Sequence, residues 1–330
     1  MLFEPGVDPT PAEHSDPPEG QVTEWAMETA REIQVRAADG TRLRTLWWPG
    51  AQAPAVLVLP GRSEPVEKYR EVVTELRARA LPVRALDWRG QGLSDRLPGL
   101  GERGHVDSFD VLADDLATVL ADMDGPTLVL GHSMGAAVAL RLMQTRPEVA
   151  GRLTGMVLTA PMISLPTWGH PPWLVRALAR LNRLAGRGRA YVRGGGDWAT
   201  ESHAFEGNRR THSRLRFERE VALLRAHPEL RVGGPTWGWL DAAFRLTDAL
   251  RGPWPEASLA LPLTVATGAA DPYVSATAQR AFFARFPQAR VDIIPDALHE
   301  ILMETDPARA RFWRLFDQAL PPVTAIGRHL

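Results

Sequence analysis

The stretch TLVLGHSMGAAVAL, residues 127–140, decides the fold of this chain. Its first four residues, TLVL, are three apolar residues after a β-branched threonine, which predicts a buried strand of a sheet. The small residues GAAVAL at its end predict a helix that begins directly after the strand. Between them, Gly131 and Gly135 flank the serine at position 133. A sharp strand-to-helix turn requires such small residues and exposes the central side chain, so we expect the Ser133 hydroxyl to lie open at the end of a strand.

The rest of the chain extends this strand and helix in both directions. Two β-rich runs, 33–37 and 43–48, flank Asp39-Gly40 and predict an antiparallel hairpin at the entry to the sheet. Strands and helices then alternate, which is typical of a mostly parallel, doubly wound α/β sheet. The further predicted strands are 55–59, 83–88, 127–130, 155–160, 263–267 and 291–294, and the helices between and after them are 66–80, 108–123, 134–145, 276–286 and 301–320.

The alternation is interrupted once, and this interruption divides the chain. Residues 162–255 contain no pattern of a buried strand but two helical segments, 174–184 and 213–226, and we interpret them as a mainly helical cap inserted into the sheet domain. The sheet domain then comprises residues 31–161 and 256–325. Residues 1–30, acidic and rich in proline, lack the basic start and apolar stretch of a secretory signal and are interpreted as a flexible arm.

Composition excludes several classes of function. The 330 residues carry a formal net charge of −1, which gives no electrostatic reason to expect a nucleic-acid partner. The absence of cysteine excludes disulfides, thiol catalysis and thiolate metal sites. No window approaches the roughly 20 apolar residues that span a bilayer. We expect a cytoplasmic protein, with peripheral contact at the inner face of a membrane as a compatible addition, and the sequence leaves the oligomeric state open.

A serine hydroxyl becomes a nucleophile when a histidine takes its proton and a carboxylate orients that histidine. In a sheet of this type the three residues follow in the order serine, acid, histidine. Asp271 comes just after the strand 263–267, and His299 comes just after the strand 291–294. Both therefore lie at the same edge of the sheet as Ser133.

Three other aspartates after Ser133 are less suitable as the acid. Asp292 lies within a strand pattern, Asp296 is too close to His299, and Asp306 belongs to a helix. Asp271 is therefore the predicted acid, with a turn-forming aspartate before Pro272 as the alternative interpretation.

Acyl transfer also requires donors for an oxyanion. The backbone N–H of Met134, directly after the serine, is one candidate, and the N–H of Arg62 in the loop Pro60-Gly61-Arg62 is the other. The alternative for this loop is a plain strand-ending turn. No step of such chemistry requires a metal or an organic cofactor.

Five segments together resemble the bacterial lysophospholipase and monoacylglycerol lipase branch of the α/β-hydrolase superfamily. They are GHSMG at 131–135, DWRGQGLS at 87–94, GHVDSFDVLADDL at 104–116, GRSEPVEKY at 61–69 and RVGGPTWGW at 231–239. The resemblance runs from about residue 33 to 320 and implies an α/β-hydrolase fold with a helical cap. It also implies a triad at Ser133, Asp271 and His299 and an oxyanion donor at Arg62, in agreement with the position-based choice.

The resemblance implies hydrolysis of a single-chain lipid ester. Pro60 stands where the lipases have histidine, which favours a lysophospholipase over a monoacylglycerol lipase. The alternatives are a monoacylglycerol lipase, a small-ester esterase or acyltransferase with the same triad, and a non-catalytic ligand receptor with this fold. A dehalogenase or an epoxide hydrolase would need a carboxylate at the position of Ser133.

Two groups of cap residues are candidates for substrate binding. Arg210, within an arginine-rich stretch, could meet a phosphate head group, although a solvated helix face is an equal alternative. Trp168 and Trp237 could line an acyl pocket, with packing inside the cap as the alternative.

Overall fold

The structure is a computed structural model, and it describes residues 29–167, 169–199 and 204–321. Its eight strands are β1 (Arg31–Arg36), β2 (Arg42–Trp48), β3 (Ala55–Leu59), β4 (Val83–Leu86), β5 (Thr127–His132), β6 (Leu153–Thr159), β7 (Leu263–Gly268) and β8 (Ala289–Ile294). They form one sheet in the order β1-β2-β4-β3-β5-β6-β7-β8. Strands β1, β2 and β4 pair antiparallel, and every pair from β4 to β8 is parallel. This is the predicted mostly parallel α/β-hydrolase sheet, which is thereby confirmed.

Helices cover both faces of this sheet. They are α1 (Arg70–Ala78), α2 (Phe109–Ala121), α3 (Ser133–Thr145), α4 (Pro172–Asn182), α5 (Arg214–Ala226), α6 (Trp237–Leu250), α7 (Glu256–Leu259), α8 (Ala276–Phe283) and α9 (Asp306–Ala319). Every residue of β3 is buried, with Leu57 and Leu59 in one apolar cluster and Val56 and Val58 in another. A strand with two apolar faces requires cover on both sides, which explains the continuous apolar run AVLVL.

The segment between β6 and β7 contains helices α4, α5, α6 and the short α7, and in its described part no residue belongs to one of the eight strands. The sequence analysis does not predict helix α6. Thr236 caps this helix by accepting a hydrogen bond from the Trp239 amide at 3.1 Å. Its apolar side chains recur every three or four residues, and Ala243, Leu246 and Leu250 join the same buried cluster as the sheet. The domain division at 162 and 255 stays a prediction. Within the described residues, no helix has the length and apolar character needed to cross a bilayer.

The turn from β5 into α3 brings backbone segments into close contact. Ser133, the first residue of α3, has φ of 47°, in the left-handed region that non-glycine residues rarely adopt. A Cβ on Gly135 would lie 2.4 Å from the Leu59 carbonyl oxygen and 2.5 Å from that of Pro60. A Cβ on Gly131 would lie 2.9 Å from Ala136 Cα. The two glycines are therefore required by contacts of the backbone.

Replacing Gly135 with alanine should lower the free energy of unfolding by about 1–3 kcal/mol, because the added methyl group overlaps the end of β3. Gly151→Ala is the matched control, since a Cβ there meets nothing within 4 Å. Urea unfolding of both variants and the wild type tests this. Equal stability of the two variants would contradict the assigned contact.

Candidate active site

The three residues chosen from the sequence lie within hydrogen-bond distance of one another. Ser133 Oγ lies 3.0 Å from His299 Nε2, and His299 Nδ1 lies 2.8 Å from Asp271 Oδ2. The other oxygen of Asp271 accepts hydrogen bonds from the amides of Tyr273, at 2.7 Å, and Val274, at 3.1 Å. With the Asp271 carboxylate acting as acceptor, His299 Nδ1 donates and Nε2 is free to accept the Ser133 proton. This geometry suits removal of a proton from the serine.

The sheet brings these residues together from distant parts of the sequence. Ser133 follows β5, Asp271 lies three residues after β7, and His299 lies five residues after β8. Neighbouring parallel strands end at the same edge, so their following loops meet there. The Asp271 side chain is fully buried and that of His299 is 12% exposed, so the acid is shielded from solvent and the histidine is partly accessible.

The two candidate oxyanion donors lie in segments that continue neighbouring strands. In β3 and β5, Leu59 pairs with Gly131, so residues 60–62 run beside residues 132–134. Met134 is the second residue of α3, where the N–H has no acceptor inside the helix. Among the residues that the structure describes, none accepts a hydrogen bond from the Arg62 amide. Both donors therefore stay available, and their role stays a prediction.

The Arg62 side chain points to the segment between β6 and β7. One terminal nitrogen donates to the Gly233 carbonyl, and the guanidinium carbon lies 5.4 Å from the Trp239 ring centroid. Its Nε is buried and has no hydrogen-bond partner in the described part of the chain. Burial lowers the pKa of Arg62 to about 10, so the side chain stays charged at neutral pH.

Next to the triad lies a buried group of charges that the sequence analysis did not find. Lys68 Nζ lies 2.7 Å from Glu64, 2.9 Å from Glu300 and 3.3 Å from Glu220. Arg210 contributes a second cation, 2.9 Å from Glu220 and 3.1 Å from Glu300. We call these five residues the Lys68 cluster. The sequence feature that could have indicated this cluster is that Lys68 is the only lysine of the chain.

The Lys68 cluster holds three functional segments together. Glu64 accepts hydrogen bonds from the Gly61 amide and the Tyr69 hydroxyl, both at 2.6 Å, and so fixes the loop before Arg62. Glu300 directly follows His299, and Glu220 belongs to α5. The cluster therefore ties the predicted oxyanion loop and the histidine loop to the region between β6 and β7.

The electrostatic balance of the cluster favours its charged forms. Burial raises the pKa of Glu64, but the charge of Lys68 together with smaller contributions, among them the hydrogen bonds from Lys68 and Tyr69, outweighs burial and lowers this pKa to about 2. Burial alone would lower the pKa of Lys68, yet Glu220 and Glu300 raise it above its usual value. Such a set is stable only while each charge keeps its partners.

His132, the residue before the serine, is a second imidazole beside the triad. Its ring centroid lies 5.0 Å from that of His299, and its Nδ1 lies 2.9 Å from Thr159 Oγ1. Burial lowers the pKa of His132, so it is neutral at neutral pH. It therefore adds no positive charge next to His299.

The candidate substrate-binding residues have diverse positions. Arg210 directs one terminal nitrogen to Glu220 and Glu300, and this nitrogen serves ion pairs with the chain itself. Trp237 is half-buried as the first residue of α6, with its amide donating to the Ala190 carbonyl at 3.0 Å. Trp168 lies outside the described residues. Their roles in binding a substrate stay predictions.

A cavity of about 470 Å³ opens beside the loops that carry Asp271 and His299. On one side it is lined by residues that flank the acid and the histidine in sequence, namely Ala270, Pro272 and Leu298. Its other side is formed by residues between positions 205 and 214. The segment between β6 and β7 thus leaves space next to the site.

Comparison with known proteins agrees with this fold. A family model described as serine aminopeptidase, S33, matches residues 50–306. The chain belongs to this family. Lysophospholipase L2 of Escherichia coli K12 is 35% identical over 191 residues, which cover 56% of this chain and 54% of that protein. A probable lysophospholipase L2 of Haemophilus influenzae is 26% identical over 261 residues, covering 77% of this chain and 79% of the relative.

The chain thus spans about half the length of the Escherichia coli relative in this match. Among solved structures, a soluble variant of the monoglyceride lipase of Saccharomyces cerevisiae superposes with a TM-score of 0.67 at 16% identity, covering 88% of this chain and 97% of the other. This likeness shows the α/β-hydrolase fold. The resemblance inferred from the five sequence segments is confirmed.

Lys68→Met should lower the free energy of unfolding by about 3–5 kcal/mol, because it leaves three buried glutamates with Arg210 as their remaining cation in the cluster. Arg146→Met is the control, since Arg146 pairs with Asp114 at the surface and its loss should cost less than about 1 kcal/mol. Urea unfolding at neutral pH measures both. A loss below about 1 kcal/mol for Lys68→Met would show that the cluster contributes little.

Glu64 should make stability depend on acid pH. Its folded pKa of about 2 lies below the ordinary value of 4.5, so the unfolded chain binds the proton first. Its contribution is present above pH 4.5 and is lost as the pH falls towards 2. Urea unfolding of the wild type should therefore show a decline below pH 4.5 that is shallower in Glu64→Gln. The exposed Glu148→Gln should keep the wild-type slope, and an unchanged slope in Glu64→Gln would contradict the assignment.

Proposed function

We propose that this protein is a serine hydrolase of carboxylic esters that acts through an acyl-enzyme. The observation that carries this proposal is the chain of hydrogen bonds from Ser133 Oγ through His299 to Asp271. His299 takes the proton of Ser133 as the oxygen attacks the ester carbonyl. Asp271 holds the imidazole in the tautomer that accepts at Nε2 and stabilises the imidazolium.

The amides of Arg62 and Met134 are proposed to donate to the oxyanion of the tetrahedral intermediate. Met134 lies at the start of α3 and Arg62 in the loop after β3, and donors that the fold already orients need no rearrangement in the transition state. His299 then gives its proton to the leaving alcohol. Water, activated by the same histidine, releases the acid and restores Ser133.

The proposed substrate is a single-chain lipid ester, with a lysophospholipid as the first choice. The relatives named as lysophospholipases L2 support it, as does the loop sequence that starts at Pro60. A monoacylglycerol is the second candidate, supported by the structural likeness to a monoglyceride lipase. Both are amphiphiles that a partly enclosed site beside a helical segment suits.

Ser133→Ala should lower kcat/KM for lysophosphatidylcholine by at least about a thousandfold and abolish labelling by a fluorophosphonate, because it removes the nucleophile. Ser108→Ala, at the N-cap of α2, should behave as the wild type. Assays of lysophosphatidylcholine, monoacylglycerol, p-nitrophenyl esters and an aminoacyl p-nitroanilide rank the substrates. A folded wild-type protein without adduct or turnover would favour the receptor alternative.

Asp271→Asn should lower kcat by at least about a hundredfold while leaving the fold intact, since an amide at this position no longer fixes the reactive tautomer of His299. Asp296→Asn is the matched control, because Asp296 lies in the loop before His299 and outside the hydrogen-bond chain. Steady-state kinetics on one p-nitrophenyl ester compares them. Equal activity of the two variants would show that the acid is wrongly assigned.

A further inference from the structure

Helix α4 and the helical turn after it expose an unusual amount of apolar surface. In the described part of the chain seven large apolar side chains are exposed, and four of them lie within residues 173–184. Trp173 is 69% exposed, Leu178 44%, Leu181 61% and Leu184 64%. We call these four side chains the α4 outer surface. A cluster of this kind in one short segment indicates a binding surface rather than scattered exposure.

The spacing of these residues places them on one side of the helix. Trp173 and Leu181 are eight residues apart, slightly more than two turns. Leu178, Leu181 and Leu184 follow one another at intervals of three, the spacing of neighbours on a helix surface. The opposite side contains Ala179, which is fully buried, and faces α6.

The charge around this surface has one sign. Between Pro171 and Gly196 the chain has no aspartate or glutamate and six arginines, Arg176, Arg180, Arg183, Arg187, Arg189 and Arg193. The structure divides these arginines into two groups. Arg176 and Arg183 pair with Asp248 and Asp241 of α6.

The other four arginines are exposed, and no carboxylate of the described residues lies within ion-pair distance of them. Arg176 and Arg183 are thus paired with acidic residues of α6, on the side of this segment that packs against the protein. The unpaired arginines lie on the same segment as the apolar surface, with Arg180 on α4 itself and the others after it, and their exposed guanidinium groups are free to meet an external anion.

We infer that the α4 outer surface docks on an anionic lipid membrane. An apolar stripe edged by arginines inserts into the boundary between head groups and acyl chains, while the guanidinium groups meet lipid phosphates. A second copy of the chain is a less favourable partner for this surface than a membrane. Two copies related by a two-fold axis would bring Arg180, Arg187 and Arg189 of both chains together without acidic partners.

The docking surface lies on the part of the chain that follows β6 and first passes beside Ser133. The Met162 amide donates to the Ser133 carbonyl at 3.0 Å, and α4 begins ten residues later. The role of this docking rests on the proposed function, because a membrane holds the lipid esters that such a hydrolase would cleave. The binding itself is measured without catalysis.

Vesicle sedimentation tests the apolar part. The wild type should bind vesicles of equal parts phosphatidylglycerol and phosphatidylcholine, and Trp173→Ala/Leu181→Ala/Leu184→Ala should bind about tenfold or more weakly. The control is Leu97→Ala/Leu215→Ala, whose leucines are 43% and 45% exposed elsewhere, and it should bind as the wild type. All three proteins should hydrolyse a short, monomeric p-nitrophenyl ester equally.

A second set tests the charges. Arg180→Gln/Arg187→Gln/Arg189→Gln should lose about tenfold or more of its binding to the anionic vesicles and less than about twofold to pure phosphatidylcholine. Arg225→Gln/Arg280→Gln/Arg314→Gln makes the same change in net charge with exposed arginines on other helices, and should keep wild-type binding.

The inference is overturned if the wild type does not bind anionic vesicles, or if the apolar triple variant binds as tightly as its control. It is also overturned if light scattering shows a dimer that only this variant loses, because the surface would then join two copies. Failure of the proposed function has a different signature, namely vesicle binding without a fluorophosphonate adduct on Ser133.

Discussion

The close approach of α3 to the end of β3 governs the whole site. Gly135 lies so near the carbonyl oxygens of Leu59 and Pro60 that no side chain fits between them. This contact lets the chain reverse from β5 into α3 within one residue and places Ser133 at the turn. It also keeps the loop after β3 beside the first turn of α3, where the two predicted oxyanion donors lie. A bulkier residue at position 135 would separate the nucleophile from its proposed oxyanion donors.

A second constraint comes from buried charge. Five ionised side chains meet in the Lys68 cluster with few exposed atoms, an arrangement that is weak evidence for stability by itself. Its value lies in specificity, because a lysine that contacts three glutamates fixes the relative position of the segments that carry them. Glu64 orients the loop that precedes Arg62, while Glu300 follows His299 directly. The charges therefore hold the groups proposed to act on the substrate in one geometry.

The region between β6 and β7 has two different relations to the sheet domain. Helix α6 packs into the main apolar cluster, so it is part of the core in physical terms. Helix α4 packs on α6 through ion pairs and turns a largely apolar surface outward. The proposed active site thus lies at the edge of the sheet, and the surface proposed to dock on a membrane lies on α4.

The sequence by itself determined the sheet, its order of elements and the candidates Ser133, Asp271 and His299. These follow from short-range patterns, namely apolar runs, turn residues and the order of loops after strands. Helix α6 and the partners of Arg210 depended on the tertiary structure. Helix α6 buries polar residues, Asp241 and Thr247, among its apolar ones, which obscures its apolar pattern. An arginine in a polar stretch looks the same whether it faces solvent or two glutamates. Packing between distant parts of the chain decides which charges and apolar surfaces meet. Local sequence patterns do not contain this information.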